Sequence, residues 1–206
     1  MIEVFDFDGT LIDLWPRYYH VFCEASGVDN RQIEFNEYKM YKRLLQKDDS
    51  VAKVLGINLP ENYYENKRVM LEADDYLLYD VPLIDASSIS GYFKHNNCIL
   101  LTRRRNRPNF FKELERLNYH IPEDRIDVII DDSYTKLQWL NDNIRGEQIC
   151  MVGDGKEELN VAISRNDVKF YFVNTGLLDN SIIKKNNYNN IIPIKNIEDI
   201  LARDVL

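Results

Sequence analysis

The chain has few cysteines and histidines and no long hydrophobic run. It contains three of each residue type, and neither shows the spacing of a zinc site. The cysteines are odd in number and two of them adjoin apolar runs, which predicts buried, reduced thiols in a cytoplasmic protein. No stretch reaches the length of a membrane span, and Glu3 and Asp6 interrupt any signal-peptide pattern. The composition therefore predicts a cytoplasmic protein with no membrane partner.

Positive charge is also in deficit. The sequence has 26 Lys and Arg against 34 Asp and Glu, for a net charge of −8. A surface of that sign repels a phosphate backbone, which argues against a nucleic-acid partner. A small anionic substrate stays compatible with this charge, because a local site can differ in sign from the whole molecule.

Short apolar runs alternate with amphipathic segments along most of the chain. The runs lie at 2–5, 98–101, 128–130, 149–152 and 170–173. Their nearly continuous hydrophobicity is typical of parallel strands that are covered on both faces. Apolar residues at helical spacing predict helices at 107–117, 133–143 and 157–164. The alternation predicts an α/β fold with a Rossmann-like, doubly wound parallel sheet.

Residues 14–90 interrupt this alternation. The segment is rich in Tyr, Lys, Glu and Asn, and it shows helical periodicity without a convincing buried strand. It predicts a helical insertion after the first strand, so that 1–13 and 91–206 form the α/β core. The low-complexity tract 184–190 predicts a surface loop.

Two carboxylates follow the first predicted strand. Asp6 and Asp8 are two residues apart, and alternation along a strand directs both to the same side. The carboxyl ends of strands in an open α/β sheet form the usual ligand crevice. Like charges so close repel, which separates their proton affinities unless a cation neutralises both. The pair therefore indicates acid-base chemistry, a divalent metal, or both.

Other strand ends carry residues suited to phosphoryl chemistry. Thr102 ends one apolar run with a hydroxyl, and Lys136 near a helix start can supply positive charge. Asp154 follows another run, with Glu158 on the next helix. Carboxylates from two strand ends form the hard oxygen site that Mg²⁺ prefers.

Together these motifs resemble those of the haloacid dehalogenase superfamily, in its capped, phosphatase-like subgroup. Four motifs occur in the family's order, namely Asp6-Phe7-Asp8-Gly9-Thr10, Thr102, Lys136, and Gly153-Asp154 with Glu158. The resemblance covers the chain from residue 6 to residue 158. It implies that the helical insertion is a cap domain.

The resemblance also implies catalytic and metal-binding roles. Asp6 would attack phosphorus and form an aspartyl-phosphate. Asp8 would protonate the leaving oxygen and later deprotonate the attacking water. Asp6, Asp154 and the backbone carbonyl of Asp8 would hold Mg²⁺. Glu158 stands where an aspartate is more usual, and either it or Glu157 would support the metal.

Phosphate binding is implied for Thr102 and Lys136, which would contact the transferring oxygens. Arg103 opens an arginine-rich run that ends at Arg107, directly beyond Thr102. The run either binds a second anionic group of the substrate or forms a solvated loop, and Arg103 is the candidate phosphate ligand.

The resulting prediction is a Mg²⁺-dependent phosphatase that acts on a small phosphorylated metabolite. A phosphomutase with the same intermediate is an alternative, since its motifs are the same. A binding or regulatory module that keeps the fold without turnover is another. Substrate identity and oligomeric state stay open.

Overall fold

The chain folds into two units, one built on a parallel sheet and one built mainly of helices. The computed structural model describes residues 1–185 and 188–202. The sheet unit consists of residues 1–13 and the chain from Pro82 onward, and the helical unit is Leu14–Val81. Each unit has its own buried aromatic residues.

Eight strands are present in the part of the chain that the structure describes. They are β1 (Ile2–Phe5), β2 (Ile12–Asp13), β3 (Val81–Pro82), β4 (Cys98–Arg103), β5 (Ile126–Ile129), β6 (Ile149–Gly153), β7 (Val168–Val173) and β8 (Ile191–Ile194). Six of them form one parallel sheet in the order β5-β4-β1-β6-β7-β8. In its register, Val4 of β1 lies between Ile99 of β4 and Met151 of β6.

The helices complete both units. In the helical unit they are α1 (Trp15–Ala25), α2 (Phe35–Leu45), α3 (Asp48–Leu55), α4 (Tyr63–Met70) and α5 (Asp74–Leu77). In the sheet unit they are α6 (Ala86–His95), α7 (Arg107–Arg116), α8 (Lys136–Asn143), α9 (Lys156–Ser164), α10 (Asn180–Lys185) and α11 (Glu198–Leu201).

The main sheet is covered by helices on both faces. Alternate residues of each strand enter different clusters, because neighbouring side chains point to opposite faces. Phe5 of β1 packs in a cluster with apolar residues of α6, α7 and α11. Its neighbour Val4 packs in a second cluster with residues of α8, α9 and α10. This arrangement confirms the predicted doubly wound parallel α/β fold.

Several element bounds differ from the predicted ones for local reasons. Helix α8 begins at Lys136 rather than residue 133, because the Thr135 side chain accepts a hydrogen bond from the Gln138 N–H in a capping box. The edge strand β8 was not predicted, and it contains Pro193, which an edge tolerates. The loop predicted at 184–190 begins within α10, and its residues 186–187 lie outside the described residues.

The helical unit ends before the predicted boundary at residue 90. Helix α6 packs Ile89 and Phe93 into the cluster that covers the main sheet, so residues 82–90 belong to the sheet unit. The chain leaves the sheet unit after Asp13 and re-enters it at Pro82. The segments on either side of this insertion are hydrogen-bonded to each other, since the Leu83 N–H donates to the Leu11 carbonyl at 2.9 Å. The Tyr119 hydroxyl donates to the carbonyls of Leu11 and Ile84.

The helical unit has an aromatic core and a buried ionic group. Phe22 and Tyr38 pack with ring centroids 4.8 Å apart. The Asp48 carboxylate pairs with the ammonium groups of Lys42 and Lys67, and all three side chains are largely buried. Burial raises the pKa of Asp48, but the two lysines outweigh this effect and hold it below its usual value.

The cysteines Cys23, Cys98 and Cys150 are all buried thiols. No helix among the described residues is long and apolar enough to cross a membrane.

Candidate active site

The loops that follow β1, β4 and β6 meet beyond the carboxyl ends of these three central strands of the main sheet. The three strands are adjacent, and the Asp6 N–H donates to the Val152 carbonyl at 2.9 Å. In the main sheet, β4 and β5 lie on one side of β1, and the later strands β6, β7 and β8 lie on the other. The crevice where the strand order reverses is a topological switch point. Asp6 and Asp154 therefore lie close together although they are far apart in sequence, and Thr102 lies near the end of the adjacent strand β4.

Lys136 connects two carboxylates in this crevice. Its Nζ donates to Asp6 Oδ1 at 2.5 Å and to Glu158 Oε1 at 2.6 Å, and its side chain is buried. Burial lowers the pKa of Lys136, but Asp6 and Glu158 outweigh it and hold that pKa above its usual value. The lysine is therefore a permanent cation, placed by the capped start of α8.

Three buried carboxylates form an acidic cluster, which comprises Asp6, Asp154 and Glu158. Oxygen atoms of the three lie within 4.8 Å of one another. Burial raises the pKa of Asp6 to about 7, with a further increase from Glu158, although Lys136 opposes both. Burial, Asp6 and Glu158 likewise hold the pKa of Asp154 well above its usual value. The cluster has more negative charge than Lys136 can balance, so its chemistry fits a divalent cation.

Two glycines allow backbone to approach Asp154. A Cβ at Gly9 would lie 2.6 Å from Asp154 Oδ2, and Gly9 also has a positive φ of 75°. A Cβ at Gly176 would lie 1.5 Å from the same oxygen. The adjacent Leu177 N–H donates to it at 3.0 Å. The loop after β7 therefore orients Asp154. This contribution was not predicted, because nothing in the sequence places that loop beside β6.

The Asp8 carboxylate, which is not part of the acidic cluster, pairs with an arginine. Arg104 Nε donates to Asp8 Oδ2 at 2.7 Å, and Arg104 Nη2 donates to Asp8 Oδ1 at 2.8 Å. Arg104 Nη2 also donates to Glu113 Oε2 of α7 at 3.0 Å. This contact differs from both roles predicted for the arginine-rich run, which were binding of a second anionic group and a solvated loop, and no sequence pattern pointed to Glu113.

The other arginines of the run also have acidic partners. Arg103 pairs with the Glu157 carboxylate and donates to the Asp132 carbonyl at 2.9 Å. Arg105 Nη2 lies 3.0 Å from Asp132 Oδ1. Glu157 is therefore directed to Arg103, and Glu158 is the glutamate in the acidic cluster. A role for Arg103 in phosphate binding remains a prediction, and it requires Arg103 to exchange its present partners.

Thr102 has a buried hydroxyl at the end of β4. The residue is 1% exposed, and its Oγ1 has no hydrogen-bond partner among the residues that the structure describes. A buried hydroxyl without a partner costs free energy. A contact between the Thr102 hydroxyl and a phosphate oxygen stays a prediction.

Comparisons with known proteins identify the fold. No protein-family model and no curated protein matches the chain. A Thermotoga maritima protein designated beta-phosphoglucomutase matches with a TM-score of 0.60 at 17% identity, over 100% of this chain and 99% of that chain. A predicted phosphatase from Clostridium acetobutylicum matches with a TM-score of 0.63 at 16% identity, over 99% and 97%.

A third match is a haloacid dehalogenase-like family hydrolase from Streptococcus pneumoniae. Its TM-score is 0.60 at 14% identity, over 98% of this chain and 96% of that chain. At such identities the likeness establishes the fold, which is that of the haloacid dehalogenase-like hydrolases. The resemblance drawn from the four motifs agrees with this fold.

Proposed function

We propose that the chain is a Mg²⁺-dependent phosphomonoester hydrolase that works through an aspartyl-phosphate on Asp6. The observation that carries this proposal is the convergence of Asp6, Lys136, Asp154 and Glu158 at the switch point of the sheet. A nucleophilic carboxylate, a fixed cation and an acidic cluster in one site match the needs of phosphoryl transfer.

The acidic cluster supports the metal assignment. Asp6, Asp154 and Glu158, with the backbone carbonyl of Asp8, would hold the ion. Bound Mg²⁺ would supply positive charge that favours the ionised form of Asp6 and screens its repulsion from an anionic phosphate. Burial raises the pKa of Asp6 even with Lys136 beside it, and a second cation would offset this effect.

The proposed reaction has two steps. In the first, an Asp6 oxygen forms a bond to phosphorus while the bond from phosphorus to the leaving oxygen breaks, and Asp8 gives that oxygen a proton. In the second, water attacks the aspartyl-phosphate, Asp8 takes a proton from the water, and phosphate leaves Asp6. Lys136 and the Thr102 hydroxyl would stabilise the charge on the transferring oxygens.

The substrate class follows from the site chemistry and not from a recognised pocket. A small phosphorylated metabolite suits this site, because the proposed donors, Lys136 and the Thr102 hydroxyl, would bind a single phosphoryl group. Selection among such substrates is assigned to the helical unit, as the predicted cap, and to Arg103.

The first test measures phosphate release from p-nitrophenyl phosphate with Mg²⁺ and with a chelator. We expect activity only with the metal. Asp6→Asn should lower kcat by about 10⁴-fold or more, because an amide is no nucleophile. Acid-quenched parent enzyme should carry a phosphoryl group on Asp6, detectable by peptide mass spectrometry.

The matched control is Asp142→Asn, an aspartate-to-asparagine change on the exposed part of α8. It should behave as the parent enzyme. Full activity in chelator would refute the metal assignment, and a phosphoryl group on another residue would refute the role of Asp6. Transfer of the group to a second hydroxyl without release of phosphate would identify a phosphomutase.

A further inference from the structure

We infer that Arg104 is the positioning residue for Asp8, and that it fixes the carboxylate in the orientation that proton transfer needs. The inference rests on the proposed function, because it assigns Asp8 the acid-base role. None of the four motifs that indicate that function includes Arg104 or its partner Glu113.

The contact between Arg104 and Asp8 is bidentate. Two guanidinium nitrogens donate to two different carboxylate oxygens, at 2.7 and 2.8 Å. Such a pair sets the plane of the carboxylate as well as its distance, which a single hydrogen bond does not do. Each Asp8 oxygen has a second lone-pair position, and one of these positions carries the proton that Asp8 transfers.

Arg104 is itself held in place from the inside of the sheet unit. Its side chain is 2% exposed, and Glu113 behind it is fully buried and accepts from its Nη2. The guanidinium carbon lies 5.6 Å from the centre of the Phe7 ring and 5.8 Å from that of Phe110. The aromatic contacts and the Glu113 bond leave the guanidinium little freedom to rotate.

Exposure differs across the pair in the direction that function requires. The Asp8 side chain is 22% exposed, so the carboxylate is accessible although its arginine partner is not. A substrate atom can therefore approach Asp8 but not Arg104. This difference separates positioning from direct phosphate binding, because Nε and Nη2 of Arg104 are directed at Asp8 and Glu113.

A lysine could not replace this arginine. A single ammonium can balance the charge of Asp8, but it lacks the planar fork that holds both oxygens while also reaching Glu113. Positioning of an acid-base group contributes to the rate only when the leaving group needs a proton. The effect of a substitution should therefore depend on the leaving group.

The test compares kcat/KM for a series of aryl phosphates with Mg²⁺ present. Arg104→Lys should lower kcat/KM for phenyl phosphate by about 10²-fold, since phenolate is a poor leaving group. For 2,4-dinitrophenyl phosphate, whose leaving group needs no proton, the decrease should stay within about threefold. Asp8→Asn should show the same leaving-group dependence, and adding Arg104→Lys to it should cause no further change.

Arg165→Lys is the matched control, because Arg165 holds Asp167 through two nitrogens at the surface of the sheet unit. It should leave both substrates unaffected. If Arg104→Lys does not fold, as circular dichroism would show, the double variant Arg104→Met with Glu113→Leu removes both buried charges and serves instead.

Equal losses on both substrates would overturn the inference and give Arg104 a purely structural role. Unchanged kcat/KM for phenyl phosphate would also overturn it. In both cases an active parent enzyme would leave the proposed function standing. An inactive parent enzyme would refute the proposed function and this inference together.

Discussion

At the scale of single residues, the site depends on groups that touch the carboxylates as much as on the carboxylates. Asp154 is oriented by the Leu177 N–H and by the absence of a side chain at Gly176. Contacts to a metal-binding carboxylate set the direction of its lone pairs, and hence its affinity for the metal.

Gly176 provides a direct test at this scale. In Gly176→Ala, the added methyl group would lie 1.5 Å from Asp154 Oδ2, so the loop or the carboxylate must move. We expect Mg²⁺ affinity to fall by about 10- to 100-fold, as measured by titration calorimetry. Gly91→Ala in α6 is the control, because its Cβ meets no atom within 4 Å. It should raise stability by about 0.5–1 kcal/mol and leave Mg²⁺ affinity unchanged, and equal affinity in both variants would contradict the prediction.

At the scale of secondary-structure elements, charge is concentrated where β1, β6, α8 and α9 meet. Asp6 and Asp154 directly follow β1 and β6, while Lys136 begins α8 and Glu158 lies in α9. Of these four charged groups at the site, Lys136 alone is positive. The parallel sheet requires this convergence, since the carboxyl ends of its central strands are adjacent.

The acidic cluster should make stability depend on pH and, with the proposed metal bound, on Mg²⁺. The pKa of Asp6 is raised in the folded protein relative to the unfolded chain, so the folded state binds more protons between about pH 4 and 7. The stabilising effect of its proton is therefore present below about pH 4 and is lost as the pH rises through about 7. Mg²⁺ bound at the proposed site would compete with this proton and should stabilise the protein more strongly at high pH.

Thermal denaturation tests this expectation. At pH 8 and a Mg²⁺ concentration of about 100 times Kd, binding adds about 2.7 kcal/mol, or about 5 to 10 °C in Tm for a chain of this length. At pH 5.5 the increase in Tm should be less than about half as large. KCl at equal ionic strength is the control for screening. An increase in Tm that is independent of pH, or that persists in Asp154→Asn, would show that Mg²⁺ binds elsewhere.

At the scale of the whole molecule, the chain inserts a helical unit into a sheet unit. Each unit has its own aromatic core, and the helical unit also has the buried group of Asp48 with Lys42 and Lys67. The two chain connections are joined inside the sheet unit by bonds to the Leu11 carbonyl.

This organisation predicts that the sheet unit folds without the insertion. Replacing residues 14–81 with a short Gly-Ser linker should preserve a cooperative unfolding transition and Mg²⁺-dependent cleavage of p-nitrophenyl phosphate. Preference among phosphorylated metabolites should change, since selection is assigned to the helical unit. The full-length chain is the control in each assay. Loss of the folded state would show that the sheet unit depends on the helical unit.

The sequence by itself determined the α/β fold, the acidic strand ends and the presence of a helical insertion. Local patterns suffice for these features, because burial on both faces requires continuous apolar runs and helices require apolar residues at a spacing near 3.6. The order of the motifs also indicated that Asp6, Thr102, Lys136 and Asp154 belong to one site.

Only the tertiary structure decided the partners of these residues. Arg103, Arg104 and Arg105 are consecutive and chemically identical, yet their partners differ. Arg103 pairs with Glu157, and Arg105 pairs with Asp132. Arg104 donates to both Asp8 and Glu113. The tertiary structure likewise decided that Glu158, and not Glu157, belongs to the acidic cluster. It also decided that Gly176 lies against Asp154. These contacts join residues distant in sequence, and they depend on strand order and helix rotation, which no local pattern encodes.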